Sequence, residues 1–183
     1  MIDRDSEGVD SVDDPFAVLG VARSLDVSPS QVAAAHLRAS ARVHPDRARD
    51  AIERDRLVRE SAVLGDAKRV LQDPVLRAEA LLRLAGVPTM EVPLSPLFLM
   101  ETLELRESIE SAAAGADGEI LGALRTQVAA LQRAAMDDLR TALGAHSPPG
   151  LAMGDPEAAR SARSALARLR YAARMVARLD EAL

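Results

Sequence analysis

Apolar residues recur along this chain at three- and four-residue steps, and no stretch shows the strict alternation of a half-buried strand. Asp14-Pro15 predicts a helix start with proline at its first position, and Phe16, Leu19 and Val21 give it a short apolar face. Ser28-Pro29 opens a second helix, expected to run to about Val43. A third is expected from roughly Ala51 to Leu71, with Leu57, Val58, Leu64, Ala67 and Leu71 placed for burial. Asp73-Pro74 caps a short fourth helix that ends at Gly86, the glycine expected just past a helix C-terminus.

From Gly86 to Pro96 the period disappears and Pro88, Pro93 and Pro96 mark a linker. Beyond it three longer helical patterns follow, at about 96–114, 118–143 and 155–182. They are divided by Gly115-Ala116-Asp117-Gly118 and by a Pro/Gly-rich stretch from Gly144 to Pro156. Short connections between helices of this length predict an antiparallel three-helix bundle. The expected fold class is all-α. Its segments are an acidic, disordered tail over 1–13, a helical-hairpin module over 14–85, a linker over 86–95 and the bundle over 96–183.

One tripeptide interrupts the helical rhythm with chemistry. His44-Pro45-Asp46 follows a basic amphipathic segment, Val32 to Val43, and proline disfavours helix at the residue before it. An imidazole, a rigid ring and a carboxylate are therefore displayed at a corner between two helices, beside Arg38, Arg42 and Arg47. Proline splits the His–Asp pair and no nucleophile stands near, so no enzymatic role is expected.

Composition sharpens this picture. Aromatic residues make up only 2% of the 183 residues, so the apolar content is mostly Ala, Leu and Val, as suits helix-on-helix packing. The absence of cysteine excludes disulfides, thiolate zinc sites and cysteine-ligated clusters within the chain. His36, His44 and His146 are too scattered to predict a metal site; His36 reads as a core-edge residue and His146 as solvated in a Ser-Pro-Pro loop. No cofactor is expected, and the glycines form no phosphate-binding fingerprint. A net charge of −5 argues against broad nucleic-acid affinity. The N-terminus is acidic rather than signal-like and no apolar run could cross a membrane, so a cytoplasmic protein is expected.

Within the bundle some apolar residues face the wrong way. At about 100° per residue, Phe98, Leu105 and Ile109 share one direction within roughly 20° and predict the core seam of their helix. Leu99, Met100 and Leu103 centre about 145° away, bordered by Glu104 and Glu107. The last helix has a seam at Ala162, Leu166, Leu169, Ala173, Val176, Leu179 and Leu183. Tyr171 falls more than about 140° from its centre, with Met175 beside it and Arg168, Arg174 and Arg178 around them. Two apolar faces need two partners. One reading packs the second face against the N-terminal module or linker; the other makes it a partner-binding surface.

These motifs together resemble the J-domain superfamily and, more narrowly, the HscB family of iron–sulfur-assembly co-chaperones. The J-domain likeness rests on Asp14-Pro15-Phe16-Ala17-Val18-Leu19-Gly20-Val21, on His44-Pro45-Asp46 and on Leu71-Gln72-Asp73-Pro74. The narrower likeness rests on the run from Phe98 to Glu107, on Asp73 to Leu82 and on Leu169-Arg170-Tyr171. The resemblance implies docking on a DnaK/HscA-type ATP-dependent chaperone through His44, Pro45 and Asp46, with Arg38, Arg42 and Arg47 as electrostatic contacts. It implies an IscU-type iron–sulfur scaffold protein as the second partner, held by Leu99, Met100, Leu103, Glu104, Glu107 and Tyr171. Stimulation of the chaperone's ATPase and delivery of the scaffold follow as the implied function.

Four positions depart from the J-domain pattern. His36 and Val43 replace aromatics, and Gly65 and Lys68 stand where the third helix often has Asn and an aromatic. The cysteine pairs of eukaryotic relatives' N-terminal extension are absent, so no zinc module is expected. A J-protein adaptor for another client, and an interaction protein with a degenerate J-domain, remain as alternative readings.

Overall fold

The computed structural model describes residues 14–44, 46, 48–90, 92–144 and 156–182. The acidic segment 1–13, and with it Pro45, Arg47, His146 and Leu183, lies outside the described residues. All regular structure among the described residues is helical: α1 Pro15–Leu19, α2 Pro29–Ser40, α3 Ala51–Gln72, α4 Pro74–Leu84, α5 Pro96–Ala114, α6 Gly118–Leu143 and α7 Pro156–Ala182. They divide into two compact units, the first ending at Leu84 and the second beginning at Ala85.

The helix starts are fixed by side chains that satisfy otherwise orphaned amides, each worth about 1 kcal/mol. Asp14 accepts from the Phe16 and Ala17 amides, Asp50 from Glu53, Ser95 from Phe98 and Asp117 from Ile120. Ser28 and Gln31 form a reciprocal capping box at the head of α2. Gly20 closes α1 with φ +64°, a conformation that disfavours any residue with a Cβ.

In the first unit α1, α2 and α4 all pack against α3. Phe16 and Leu19 of α1, Val32 and Ala35 of α2, and Leu57, Leu64, Ala67 and Leu71 of α3 are buried. Val58, expected in that core, is 51% exposed. It lies about 135° around the helix from the centre of the Leu57/Leu64/Ala67/Leu71 stripe, so no single buried face can hold both. Helix α2 also stops at Ser40 rather than Val43. Its end tightens: the Arg42 amide bonds Ala39 O and the Val43 amide bonds Ser40 O, three-residue closures that bring the chain out of the helix before the proline.

Two polar ties hold this small core together. Asp14 is only 2% exposed and takes Arg23 Nε at 2.8 Å besides its two amides. Arg77, 8% exposed, reaches back from α4 to donate to the Leu71 carbonyl at 2.7 Å near the end of α3. Burial pushes the Arg77 guanidinium below its ordinary pKa, an effect opposed by the charges of Asp26 and Asp73. Asp73 itself turns the corner, accepting from the Val75 and Leu76 amides at 2.7 and 2.9 Å.

The second unit is an antiparallel bundle. Arg125 near the start of α6 pairs with Asp180 near the end of α7 at 2.6 Å, while Asp138 near the end of α6 pairs with Arg168 at 2.9 Å. Glu110 near the end of α5 meets Arg178 near the end of α7 at 2.7 Å, so α5 and α7 run the same way. Leu105, Ile109, Leu121, Leu124, Val128, Met175 and Leu179 form one continuous core cluster.

Gly65 lies exposed in the interior of α3, and a Cβ there meets no atom within 4 Å. Gly65→Ala is therefore expected to stabilise the first unit by about 1 kcal/mol and to raise its thermal midpoint by roughly 4–8 °C. Thermal unfolding followed by circular dichroism checks this; an unchanged or lowered midpoint contradicts an unstrained helix interior.

Candidate functional site

The corner after α2 is open to solvent. The side chains of His44 and Asp46 are 61% and 88% exposed, with the Asp46 carboxylate 3.6 Å from His44 Nδ1. The Asp46 amide donates to that same nitrogen at 3.3 Å, so the imidazole is oriented by the backbone two residues on. Arg38 and Arg42 are exposed on the same helix end, and Arg42 Nε donates to the Arg38 carbonyl at 3.4 Å. Pro45 and Arg47 lie outside the described residues. His36 is half-buried, 3.4 Å from Ser40 Oγ. Next to the corner an open groove of about 670 Å³ runs between α1 and α3, with Val18, Arg42, Val43 and Val63 among its walls.

The second candidate surface is on α5. Leu99, Met100 and Leu103 are 40%, 60% and 46% exposed, and Glu104 and Glu107 are exposed beside them. The opposite face of the helix is spent on the core through Leu105, Ile109 and Ala112. Leu99 and Leu103 line a groove of about 360 Å³ whose other wall is Tyr171 and Met175 of α7. Met100, Glu104 and Glu107 are absent from that groove; Glu104 instead borders a separate cleft of about 550 Å³ between α5 and α6. The expected patch thus wraps around α5 rather than forming one pocket.

Tyr171 corrects the helical-wheel expectation. It is half-buried rather than outward-pointing, set edge-on to Phe98 with ring centroids 6.0 Å apart at 84°. Arg174 lies over its ring, Cζ 4.5 Å from the centroid. Phe98, expected in the core seam, is half-buried in the first turn of α5. Met175, expected beside Tyr171 on the outside, is 5% exposed and belongs to the core. Ala173 and Val176, expected in the seam, are half-buried, while Ala165 and Ala172 are fully buried. The cause is geometric. Helix α7 packs on both α6 and α5, so its buried arc is wider than a single seam and turned towards Met175.

Of the arginines expected around Tyr171, Arg174 and Arg178 line the groove, whereas Arg168 turns away to Asp138. Sequence reasoning missed Arg106, which joins them on the groove. Its position three residues beyond Leu103 was the available signal, since residues three apart share a helix face. Among the described residues no cluster of His, Asp or Glu could hold a metal ion, and no helix is long and apolar enough to cross a membrane.

Residues 94–180 match the HSCB C-terminal oligomerisation domain family. A co-chaperone protein HscB homolog of Vibrio cholerae is 40% identical over 124 residues, spanning 64% of this chain and 72% of the relative. One from Aliivibrio salmonicida is 31% identical over 137 residues, 70% of this chain and 78% of the relative. Among solved structures, chaperone HscB from Vibrio cholerae superposes with a TM-score of 0.71 at 30% identity, covering 92% of this chain and 96% of its own. Human co-chaperone HscB shares the fold at a TM-score of 0.73 and 22% identity, covering 92% of this chain and 81% of its own. With an all-helical architecture, an exposed His44–Asp46 corner and relatives of this identity and coverage, the chain belongs to the HscB co-chaperone family.

Proposed function

We propose that this protein is a cytoplasmic J-domain co-chaperone that brings an IscU-type iron–sulfur scaffold protein to a DnaK/HscA-type chaperone and stimulates the chaperone's ATP hydrolysis. Membership of the HscB family supports a J-protein co-chaperone role in iron–sulfur cluster assembly. The observation that carries the finer reading is the second face of α5. Leu99, Met100 and Leu103 stay exposed on a helix whose other face already closes the bundle, and Tyr171 forms a wall beside the first and last of them. Full burial of an exposed side chain of this kind is worth about 1.5–3 kcal/mol, and with about half of each already covered roughly 1 kcal/mol apiece is left for a partner.

In the first unit His44 and Asp46 act by differential binding. They contact the chaperone better in its hydrolysis-competent arrangement than in its resting one, and so shift that equilibrium. Arg38, Arg42 and Arg47 speed encounter with an acidic surface, an effect that salt weakens. Glu104 and Glu107 complement basic side chains of the scaffold at the rim of the apolar contact.

Asp46→Ala is expected to abolish ATPase stimulation while leaving thermal stability unchanged, because the Asp46 side chain is 88% exposed. Arg42→Ala should retain full stimulation and raise the concentration needed for half of it, more so at low salt. Steady-state ATPase titrations decide both, and full stimulation by Asp46→Ala protein contradicts the assignment of the corner.

Leu99→Ser with Leu103→Ser is expected to weaken scaffold binding by about thirtyfold or more, the effect of losing roughly 2 kcal/mol at an interface centre. ATPase stimulation in the absence of scaffold should be untouched. Tyr171→Phe should keep its edge contact with Phe98 and bind nearly as wild type. Titration calorimetry measures the affinities; an unchanged constant for the double variant moves the scaffold contact elsewhere.

A further inference from the structure

The groove between α5 and α7 is lopsided in charge. Arg106 of α5 and Arg174 and Arg178 of α7 share its lining with Leu99, Leu103 and Tyr171. Glu110 serves two of these arginines, 3.5 Å from Arg106 Nε and 2.7 Å from Arg178 Nη1. Arg174 is held over the Tyr171 ring, and no carboxylate among the described residues pairs with it. This margin therefore carries three guanidiniums against one carboxylate.

The other margin has the opposite sign. Relative to Leu99, Arg106 lies about 20° round the helix on the α7 side, whereas Leu103, Glu107 and Glu104 lie about 40°, 80° and 140° the other way. Glu104 and Glu107 are both exposed. An apolar strip one leucine wide separates a basic edge from an acidic one.

We propose that this asymmetry fixes the orientation of the docked client, and that the basic edge receives a carboxylate set beside the apolar side chain which enters between Leu103 and Tyr171. The proposal rests on the reading of this face as the client-docking surface. A partner that covered Arg174 without supplying an anion would desolvate a charge and leave it uncompensated, at a cost exceeding what one apolar contact returns. An acidic group there meets a guanidinium already immobilised by the tyrosine ring, so little further side-chain freedom is lost. Turning the partner half a turn brings its carboxylate against Glu104 and Glu107, and like-charge juxtaposition penalises that pose. The occupant fitted by both edges is a folded protein surface with an apolar knob, an acidic residue on its α7 side and basic residues on the far side. A nucleic acid offers only the first match, phosphate to arginine, and is repelled at the second.

Calorimetry of the full-length chain against an IscU-type scaffold protein, at low and high salt, tests this with opposed variants. Arg174→Glu is expected to weaken binding about tenfold or more at low salt, with much of that difference lost at high salt. Arg174→Lys keeps the charge and should lose less. Glu110→Gln frees two arginines from their internal partner and is expected to tighten binding by about two- to fivefold, a gain that mere structural damage cannot produce. Circular dichroism confirms that each variant folds.

If Arg174→Glu binds as wild type while Leu103→Ser does not, the orientation proposal is overturned and the docking surface stands. If neither variant changes affinity, the docking reading fails and takes the proposal with it. If Arg174→Glu alters self-association of the chain and not scaffold affinity, a second copy is the occupant and the proposal is wrong.

Discussion

A helix buries only the arc that its neighbours cover, and α6 and α7 both pack on the same side of α5, short of its second apolar face. Leu105, Ile109 and Ala112 meet the core shared with α6 and α7, which leaves Leu99 and Leu103 at the rim. Because the core side alone suffices to place the helix, the rim side is free to vary its contacts without unfolding the bundle. The aromatic contact at the rim, Phe98 on Tyr171, stiffens the groove wall beside these leucines. The binding capacity proposed for this face would be a by-product of incomplete satisfaction, bounded by a packed core on the other side.

The first unit solves the converse problem, keeping polar chemistry exposed on a small core. Its short helix α1 stays in place through Asp14, a buried carboxylate that accepts from two amides and from Arg23. Its corner between α3 and α4 is closed by Arg77 on the Leu71 carbonyl. These ties hold the frame around α3, so the His44–Asp46 corner is displayed from a fixed helix end. A buried arginine with one nitrogen lacking a partner, Arg77 Nε, shows that the frame is not cost-free.

On the proposed reading, charge decides what the apolar face accepts. With an overall charge of −5, the basic edge formed by Arg106, Arg174 and Arg178 is a local exception to an acidic molecule. Such an exception contributes less to raw affinity than to pose and to rejection of wrong partners.

The starts of the helices were legible in the sequence because they are set by local chemistry, prolines that remove a donor and Asp and Ser side chains that cap amides, whereas the end of α2 was read three residues too far, at Val43 instead of Ser40. The exposed stripe of α5 was legible too, since helical geometry alone puts Leu99 and Leu103 opposite Leu105 and Ile109. Tyr171, Met175 and Phe98 were misplaced because a wheel assumes one buried seam. Only the packed bundle could assign them, for α7 touches two neighbours and spreads its buried arc between them. Likewise the meeting of Arg106 with Arg174 and Arg178 joins residues some 70 positions apart. Local periodicity fixes which side of a helix a residue takes, but only the three-dimensional arrangement of helices decides which other side it faces.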